Sequence, residues 1–210
     1  MQKIKKVLVA GANGTTGKII VSLLKESEAY QPIAMVRKQD QKDDFEKQGI
    51  STVLADLEKD VSHAVKNADK VIFAAGSGGK NVIGVDQEGA KSLTNAAREA
   101  GLAKFVMLSS MGADNPAENE ELEDYLRAKQ NADDYLRTSG MRYSIVRPGQ
   151  LTDEEGTGKI QLDEKLETKG SISRADVAKT LVAALEDNVR QNQIFEILSG
   201  EVPIEKAVRS

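Results

Sequence analysis

The sequence predicts a doubly wound α/β fold, in which helices cover both faces of a parallel sheet and the whole chain forms one domain. Short apolar runs rich in β-branched residues alternate along the chain with amphipathic helical stretches. Each run is almost continuously apolar, as is typical of strands buried on both faces. Regular alternation of strand and helix implies right-handed crossovers and parallel pairing. No internal repeat or linker interrupts the 210 residues, so a single domain is expected.

The predicted elements follow one another in a regular order. Six strands are predicted in the first two thirds of the chain, at Lys6–Ala10, Pro32–Arg37, Ser51–Ala55, Val71–Ala75, Phe105–Ser109 and Tyr143–Arg147. Helices are predicted between them, at Thr15–Glu26, Asp40–Gln48, Asp60–Asn67, Val85–Ala100 and Leu122–Ser139. Ligands of open α/β sheets bind beyond the carboxyl ends of the strands, so segments 76–84, 110–120 and 149–170 should surround a site.

The pattern loosens after Arg147, where Gly, Thr and acidic residues become frequent. Three further elements are predicted there, namely strands at Lys159–Leu162 and Gln193–Leu198 and a helix from Ser173 to about Glu186. The helix start is indicated by Ser173 and Asp176, an N-cap residue followed three positions later by a carboxylate. We expect this tail to pack on the same domain as the rest of the chain.

Composition excludes several classes of protein. No segment approaches the roughly 18 apolar residues that cross a bilayer, and the apolar run after the basic first residues is too short for an export signal. The chain has no cysteine, which excludes disulfides and thiolate sites, and its single histidine, His63, cannot form a zinc site alone. A net charge of −4 without any basic block argues against nucleic-acid binding. We therefore expect a cytoplasmic protein without a metal site.

A glycine-rich loop follows the first predicted strand. Its sequence is Gly11-Ala-Asn13-Gly14-Thr15-Thr16-Gly17. Glycines at these positions permit a tight turn, let the backbone approach a pyrophosphate and let the next helix pack close to the strand. The helix N-terminus presents unpaired N–H groups and a positive dipole end to the phosphates. An ordinary turn is the alternative, but the position between a first strand and a helix favours a dinucleotide site at these residues.

The end of the second predicted strand indicates which dinucleotide is bound. A site for NAD places Asp or Glu there, to bind the ribose 2′-hydroxyl. Here the strand ends in Arg37-Lys38, and Arg37 lies twenty residues past Gly17. A guanidinium group can form charge-assisted hydrogen bonds to a 2′-phosphate, which a carboxylate would repel. We therefore expect NADP(H) rather than NAD(H), although Asp40 lies close by and both cations could instead be solvated loop charges.

Two further strand ends fit the same ligand. Asp56 and Leu57 follow the third predicted strand, where a carboxylate can accept a hydrogen bond from the adenine amino group. Ala74, Ala75 and Gly76 lie at the end of the fourth, where small residues let a cofactor lie against the backbone. Each segment alone could be an ordinary loop. Both fall on the same sheet edge as the glycine loop, and this shared position assigns them to the cofactor site.

Together these residues resemble an atypical short-chain dehydrogenase/reductase, of the short NAD(P)-binding branch whose bacterial members are often described as sugar-epimerase-like. The resemblance spans nearly the whole chain and rests on Gly11-x-x-Gly14-x-x-Gly17, Val36-Arg37-Lys38, Ala55-Asp56-Leu57, Ala74-Ala75-Gly76-Ser77-Gly78-Gly79, Ser109-Ser110, Tyr125-x-x-x-Lys129 and Arg147-Pro148-Gly149. It implies a Rossmann-type domain that binds NAD(P), with Ser109, Lys129, Pro148 and Gly149 among the cofactor-binding residues. It also implies a Ser/Tyr/Lys group beside the nicotinamide, without identifying a substrate.

Tyr125 and Lys129 are candidate catalytic residues. Their spacing of four places them on one face of a predicted helix. An ammonium group beside a phenol favours the phenolate, which suits general acid–base catalysis. A solvated face is the alternative, but Lys129 interrupts the apolar stripe that includes Leu122, Leu126 and Leu136, and an inward lysine is unfavourable without a partner.

A serine completes the candidate group. Ser109 or Ser110, at the end of the fifth predicted strand, could donate a hydrogen bond to a substrate oxygen, and the family's positioning favours Ser110. In the resembling enzymes the tyrosine passes a proton to a carbonyl oxygen as the cofactor delivers hydride. The lysine of those enzymes also holds the nicotinamide ribose.

Three functions follow from these residues. The leading one is NADPH-dependent reduction of a small carbonyl or another hydride acceptor. The second is an NADP(H)-responsive binding or regulatory protein without turnover, and the third is an NAD(P)-dependent sugar epimerase. Residues 1–149 would form the cofactor-binding core and residues 150–210 a small substrate-side part. We expect a small-molecule substrate, no nucleic-acid or membrane partner, and either a monomer or a homodimer.

Overall fold

A nine-stranded sheet dominates the structure, a computed structural model that describes residues 3–210. The strands, two of which form a separate small sheet, are β1 (Lys5–Ala10), β2 (Tyr30–Val36), β3 (Ser51–Leu54), β4 (Lys70–Phe73), β5 (Lys104–Leu108), β6 (Tyr143–Pro148), β7 (Gln150–Thr152), β8 (Lys159–Asp163), β9 (Ser171–Ser173), β10 (Gln193–Ser199) and β11 (Val202–Pro203). The α-helices are α1 (Thr15–Lys25), α2 (Gln39–Glu46), α3 (Ala90–Glu99), α4 (Glu123–Thr138), α5 (Arg174–Ala183) and α6 (Ile204–Ala207). A π-helix (Val82–Gly89) precedes α3, and a short 3-10 helix (Pro116–Glu118) precedes α4.

The predicted doubly wound α/β fold is confirmed by the strand order. The large sheet runs β11-β8-β10-β6-β5-β4-β1-β2-β3, and every pair from β3 to β10 along this order is parallel. Strand β8 pairs antiparallel with β10, and β11 pairs antiparallel with β8. The chain works outward in one direction from β1 through β2 to β3, then returns to β4 and continues outward the other way. The topological switch therefore lies between β1 and β4.

Two hydrophobic cores cover the two faces of the sheet. Alternate residues of one strand enter opposite cores: Val7 and Val9 of β1 pack with helices α1 and α5, whereas Leu8 and Ala10 pack with α3 and α4. All four side chains have no exposed surface. This two-sided burial explains why the strands are continuously apolar in the sequence.

The prediction of a helix at Asp60–Asn67 is wrong. Residues 62–67 form successive turns, with backbone bonds from Ala64 to Val61 and from Ala68 to Val65. The Asp60 carboxylate accepts hydrogen bonds from the Ser62 N–H and hydroxyl, a local bond that competes with helix formation. The apolar spacing that suggested a helix instead buries Val61, Ala64 and Val65 in the core beside α3 and α4.

The C-terminal part extends the main sheet and adds elements that the sequence did not indicate. Strands β7 and β9 form a parallel two-stranded sheet, and β11 and α6 follow β10. The helix predicted to reach Glu186 ends at Ala183, and the helix predicted from Val85 begins as a π-helix at Val82. The N-cap prediction is confirmed, because the Ser173 hydroxyl accepts the N–H of Asp176.

Candidate functional site

The glycine loop lies where β1 passes into α1, and close packing explains its glycines. Gly11 has a φ of +85°, and a Cβ there would lie 2.6 Å from the carbonyl oxygen of Ala74. A Cβ on Gly17 would overlap the carbonyl oxygen of Gly11, so glycine lets α1 approach the loop. The loop backbone is thereby held against the end of β4. Helix α1 begins directly after Gly14, and the N–H groups of its first turn have no intrahelical acceptors.

A cleft of about 410 Å³ opens beside this loop, at the switch between β1 and β4. Doubly wound sheets bind their ligands at this position. The predicted cofactor-binding residues that line the cleft are Gly11, Asn13, Gly14, Arg37, Asp56, Leu57, Ala74, Ala75 and Gly76. The predicted residues outside its lining are Thr15, Thr16, Gly17, Lys38, Ser109, Lys129, Pro148 and Gly149.

Arg37 and Lys38, predicted together, lie in different positions. Arg37 directly follows β2 and lines the cleft, and among residues 3–210 its guanidinium group has no ion-pair partner. Lys38 is the N-cap of α2, with its backbone N–H directed to the side-chain oxygen of Gln41, and it does not contribute to the lining. Asp40 lies in the first turn of α2, also outside the lining. The structure therefore brings Arg37 alone of the predicted pair into the cleft.

The residues of the lining have the chemistry of a dinucleotide site. The lining combines the close glycine backbone with two cations, Arg37 and Lys80, and with the carboxylates of Asp56 and Glu58. The hydroxyl oxygen of Ser77 is buried and has no hydrogen-bond partner within the described part of the chain. Buried polar atoms in native proteins are normally hydrogen-bonded, so an unpaired hydroxyl on a cleft wall is a group that a ligand can satisfy.

Tyr125 and Lys129 occupy successive turns of α4, as the sequence predicts. Lys129 is only 4% exposed, Tyr125 is half-buried, and the lysine Nζ lies 5.5 Å from the centroid of the tyrosine ring. The prediction that Leu122 belongs to the buried apolar stripe of this helix is wrong. Leu122 is 48% exposed because it precedes the first turn of α4. The buried ammonium group is thus held beside the aromatic ring.

The partner that a buried lysine requires is Asp86, in the π-helix. One carboxylate oxygen lies 3.2 Å from the Lys129 Nζ, and the other accepts the backbone N–H of Ser77 at 2.9 Å. The carboxylate is 2% exposed. Because Ser77 belongs to the wall of the cleft, this one side chain connects the cleft to the Tyr125–Lys129 pair.

Ser109 and Ser110 differ in what they contact. The buried Ser109 hydroxyl donates to the Asp133 carboxylate at 2.8 Å, and the same carboxylate oxygen accepts two hydrogen bonds from Arg147. Ser109 is therefore engaged in a buried polar network and lies outside the cleft lining, so its contact with the cofactor stays a prediction. Ser110 is half-buried and donates only to the adjacent carbonyl oxygen of Met111, at 3.2 Å. The serine available for a substrate is Ser110.

Asp133 is an unusual carboxylate. Burial raises its pKa to about 6, although the charge and hydrogen bonds of Arg147 and Ser109 act in the opposite direction. Its second oxygen is buried without a hydrogen-bond partner within residues 3–210. The group ties the ends of β5 and β6 to α4, directly behind the serines.

Pro148 and Gly149 have a packing role in the structure. Pro148 is buried at the end of β6, and a Cβ on Gly149 would overlap the carbonyl oxygen of Gly170. The glycine is needed where the chain leaves the main sheet for the small one. Neither residue reaches the cleft lining, so the predicted cofactor contact has no support in this geometry.

Several polar residues of the site were missed by the sequence analysis. Asp133 could have been found, because it follows Lys129 by four positions and so shares its inward face. Ser77 and Lys80 lie in the segment 76–84 that was expected beside the site, but neither was given a role. Asp86 had no such signal, because its contacts cross between separate elements. The sequence requires some partner for Lys129 but cannot indicate which carboxylate supplies it.

None of the helices described by the structure combines the length and apolar character that crossing a membrane requires. The comparisons with known proteins agree with the geometry of the cleft. A family described as NAD(P)H-binding matches residues 11–188.

Similar proteins cover almost the whole chain. A Bacillus subtilis protein described as an uncharacterized sugar epimerase, YhfK, is 41% identical over 97% of this chain and 99% of its own length. A solved structure from Bacillus halodurans, described as an NAD-dependent epimerase/dehydratase, is 38% identical with a TM-score of 0.93, covering 97% of this chain and 98% of the other. The oxidoreductase ylbE from Lactococcus lactis is 28% identical with a TM-score of 0.86, covering 97% and 94%. The chain therefore belongs to the NAD(P)H-binding family, among the atypical short-chain dehydrogenases/reductases.

Proposed function

We propose that the protein is an NADP(H)-dependent oxidoreductase that reduces a small carbonyl-type substrate. The observation that carries the proposal is the almost fully buried Lys129 ammonium group beside Tyr125, linked through Asp86 to the wall of the cleft. A fold that only bound a dinucleotide would not need a buried charge next to a phenol at this edge. Removing an ammonium group from water costs free energy, so a buried lysine at this position needs an explanation beyond stability.

The preference for NADP(H) rests on Arg37. Its guanidinium group lines the cleft directly after β2, where an NAD site has an acidic residue. The group has no internal ion pair in the described chain, so it is available for a 2′-phosphate. The carboxylates of the cleft, Asp56 and Glu58, instead follow β3. We assign Asp56 to the adenine end of the ligand.

The proposed reaction divides its work among three side chains. A reduced dinucleotide, when bound in the cleft, would supply the hydride ion that the carbonyl carbon receives. Tyr125 donates its phenolic proton to the carbonyl oxygen, so that the carbonyl becomes an alcohol, and the phenolate then recovers a proton from solvent. Lys129 stabilises the negative charge left on the tyrosine, and the Ser110 hydroxyl donates a hydrogen bond to the same carbonyl oxygen.

A sugar epimerase is the second candidate, favoured by the descriptions of the relatives from Bacillus subtilis and Bacillus halodurans. An epimerase would use the same residues but return the hydride to its substrate, with no net consumption of reduced cofactor. About sixty residues follow Pro148, and they form three strands of the main sheet, the small two-stranded sheet and helices α5 and α6. Within residues 150–210 these elements pack on the main sheet and form no separate sugar-binding subdomain, and on this ground we favour the reductase.

Turnover measurements test the proposal. Purified protein is incubated with NADPH and a panel of small aldehydes, ketones and quinones, and loss of the reduced nicotinamide is followed by absorbance. With any acceptor that is reduced, Tyr125→Phe should lower kcat about 100-fold or more, because general acid catalysis typically contributes roughly 10²–10⁴-fold. The affinity for NADPH should be unchanged.

Tyr135→Phe is the matched control, since Tyr135 lies on the same helix and bonds only to Asn95. It should leave kcat unaltered. An unchanged rate in Tyr125→Phe would refute the proposed mechanism. Tight NADPH binding without reduction of any acceptor would favour a binding or regulatory protein instead.

A further inference from the structure

The Asp86 carboxylate makes contacts in two directions, and both are buried. One oxygen lies 3.2 Å from the Nζ of Lys129, on α4, and the other accepts the backbone N–H of Ser77, after β4, at 2.9 Å. The Asp86 and Lys129 side chains are 2% and 5% exposed. Neither contact is screened by solvent, so the positions of the two groups are fixed relative to each other.

Stability alone does not account for this arrangement. Burying an ion pair removes two charges from water, and replacing such a pair with apolar residues is often neutral or stabilising. Apolar surroundings are available, since Ala90, Leu93 and Ala132 are buried on the neighbouring turns. What apolar residues could not do is hold a backbone N–H of the cleft wall and an ammonium group at a fixed separation.

The other groups around Lys129 do not substitute for Asp86. The carbonyl oxygen of Leu108 lies 3.5 Å from the Nζ, at the limit of a hydrogen bond, and the Tyr125 ring offers only its face. Asp133, one turn further along α4, directs its bonded oxygen to Ser109 and Arg147. Asp86 is thus the carboxylate that pairs with this lysine.

We propose that Asp86 is a positioning residue for the nicotinamide half of the cofactor. It holds the Lys129 ammonium group beside Tyr125 and holds the Ser77 backbone in the cleft wall, so that both are placed before the ligand arrives. This inference rests on the proposed function, because it requires that a dinucleotide occupies the cleft. We assign the adenine half to two other residues of the cleft lining, Arg37 and Asp56.

The two halves of the ligand can be tested separately. Isothermal titration calorimetry is run with NADPH and with adenosine 2′,5′-bisphosphate, which carries the adenine and the 2′-phosphate but no nicotinamide ribose. Asp86→Asn should weaken NADPH binding at least tenfold and change the affinity for the bisphosphate less than twofold. An asparagine cannot replace the carboxylate, because accepting the Ser77 N–H with its oxygen turns its own N–H donors toward the ammonium group.

A thermodynamic cycle separates positioning from a general effect on the fold. Lys129→Met should weaken NADPH in the same way, and Asp86→Asn combined with Lys129→Met should be no worse than either single variant, since the two residues act as a unit. Glu88→Gln is the control, because Glu88 lies on the same π-helix but pairs with Lys91 at the surface. It should change neither affinity.

Each remaining outcome has a definite meaning. Equal weakening of both ligands by Asp86→Asn would show a distorted cleft, and unchanged NADPH affinity would show no role, so either result overturns the inference. If Asp86→Asn does not fold, the double variant, which buries no unpaired charge, must still bind the bisphosphate normally and NADPH weakly. Wild-type protein that binds neither ligand would instead refute the proposed function.

Discussion

Buried lysines lie near both ends of the parallel strands of the main sheet, and their surroundings differ. We call the side on which these strands begin the amino edge, and the side on which they end, next to the cleft, the carboxyl edge. At the amino edge, Lys70 begins β4 and Lys104 begins β5, with 2% and 0% of their surface exposed. Their Nζ atoms donate to carbonyl oxygens in the segment 185–189, which follows α5. The one carboxylate bonded to them, Asp187 on Lys70, is 60% exposed. The amino-edge lysines therefore complete the end of a helix, and the acidic partner of Lys70 is exposed to solvent.

The carboxyl edge uses a buried lysine in a different way. Lys129 faces a carboxylate that is itself buried, that of Asp86, and lies beside an aromatic ring and a ligand-sized cleft. Burial of a lysine is therefore not by itself a sign of function. The informative feature is the partner: backbone carbonyls indicate a structural role, whereas a buried carboxylate that also contacts a cleft wall indicates a site.

The comparison between buried charges at the two edges can be tested by substitution. The largest effect is expected at Asp133, a buried carboxylate behind Ser109 and Ser110 at the carboxyl edge. Burial raises its folded-state pKa from 3.8 to about 6, so the folded protein binds the proton more tightly than the unfolded chain. This contribution to stability is complete below about pH 4 and is lost as the pH rises through about 6. At about 1.4 kcal/mol for each pKa unit, wild type should lose about 2.5 kcal/mol relative to Asp133→Asn between pH 4 and pH 7.5.

Urea unfolding of both proteins across this pH range measures the difference. Asp134→Asn is the control, since Asp134 forms a surface pair with Arg137 and lies outside the buried network of Asp133. A difference that stays flat would mean that Arg147 keeps Asp133 ionised throughout. The ionisation of the buried carboxylate at the carboxyl edge would then not change over this pH range.

The loss of stability expected from a substitution at the amino edge, measured at one pH, is smaller. Lys104→Met removes the donor for the carbonyl oxygens of Glu186 and Val189, which should cost about 2 kcal/mol of unfolding free energy. Burial and the nearby Lys70 lower the pKa of Lys104 to about 8, so its folded state disfavours the proton. Wild type should therefore gain stability relative to the variant as the pH rises from about 8 to about 10.5.

The affinity for NADPH tests whether the two edges act independently. The affinity of Lys104→Met for NADPH should match that of wild type, because Lys104 lies at the opposite edge from the cleft. Lys179→Met, an exposed position on α5, is the stability control. Weakened NADPH binding in Lys104→Met would show that the two edges are not independent.

The sequence predicted most of the fold because each face of the sheet has its own core. Continuous apolar strands such as Val7–Ala10 and the inward stripe of α4 are direct consequences of that burial. The turns at residues 62–67 could not be distinguished from a helix, because three buried apolar residues give the same spacing in both. The small sheet of β7 and β9 had no signal, since strands of three residues show no periodicity.

The site was predicted where backbone geometry depends on residue type, and only in part elsewhere. Gly11 and Gly17 are required by close local packing, and the glycine motif in the sequence indicates that packing directly. Lys129 could be recognised because it interrupts an apolar stripe within a single helix. The pairing of Lys129 with Asp86 joins residues more than forty positions apart, and the choice among many carboxylates depends on how two helices pack. Lys38 illustrates the converse, because adjacency to Arg37 in sequence did not bring it into the cleft.

The smallest of these effects is expected at Arg37, to which we assign the cofactor preference, and it tests the central claim most directly. Thermal unfolding is measured with NADPH, NADP, NADH and NAD for wild type, Arg37→Ala and Lys38→Ala. Wild type should be stabilised by the two phosphorylated dinucleotides well above the other two, because a ligand that binds the folded state raises stability with its affinity. Arg37→Ala should weaken NADPH about tenfold, or about 1.4 kcal/mol, and Lys38→Ala should match wild type. Equal stabilisation of wild type by all four dinucleotides, or an unaltered Arg37→Ala, would contradict the account.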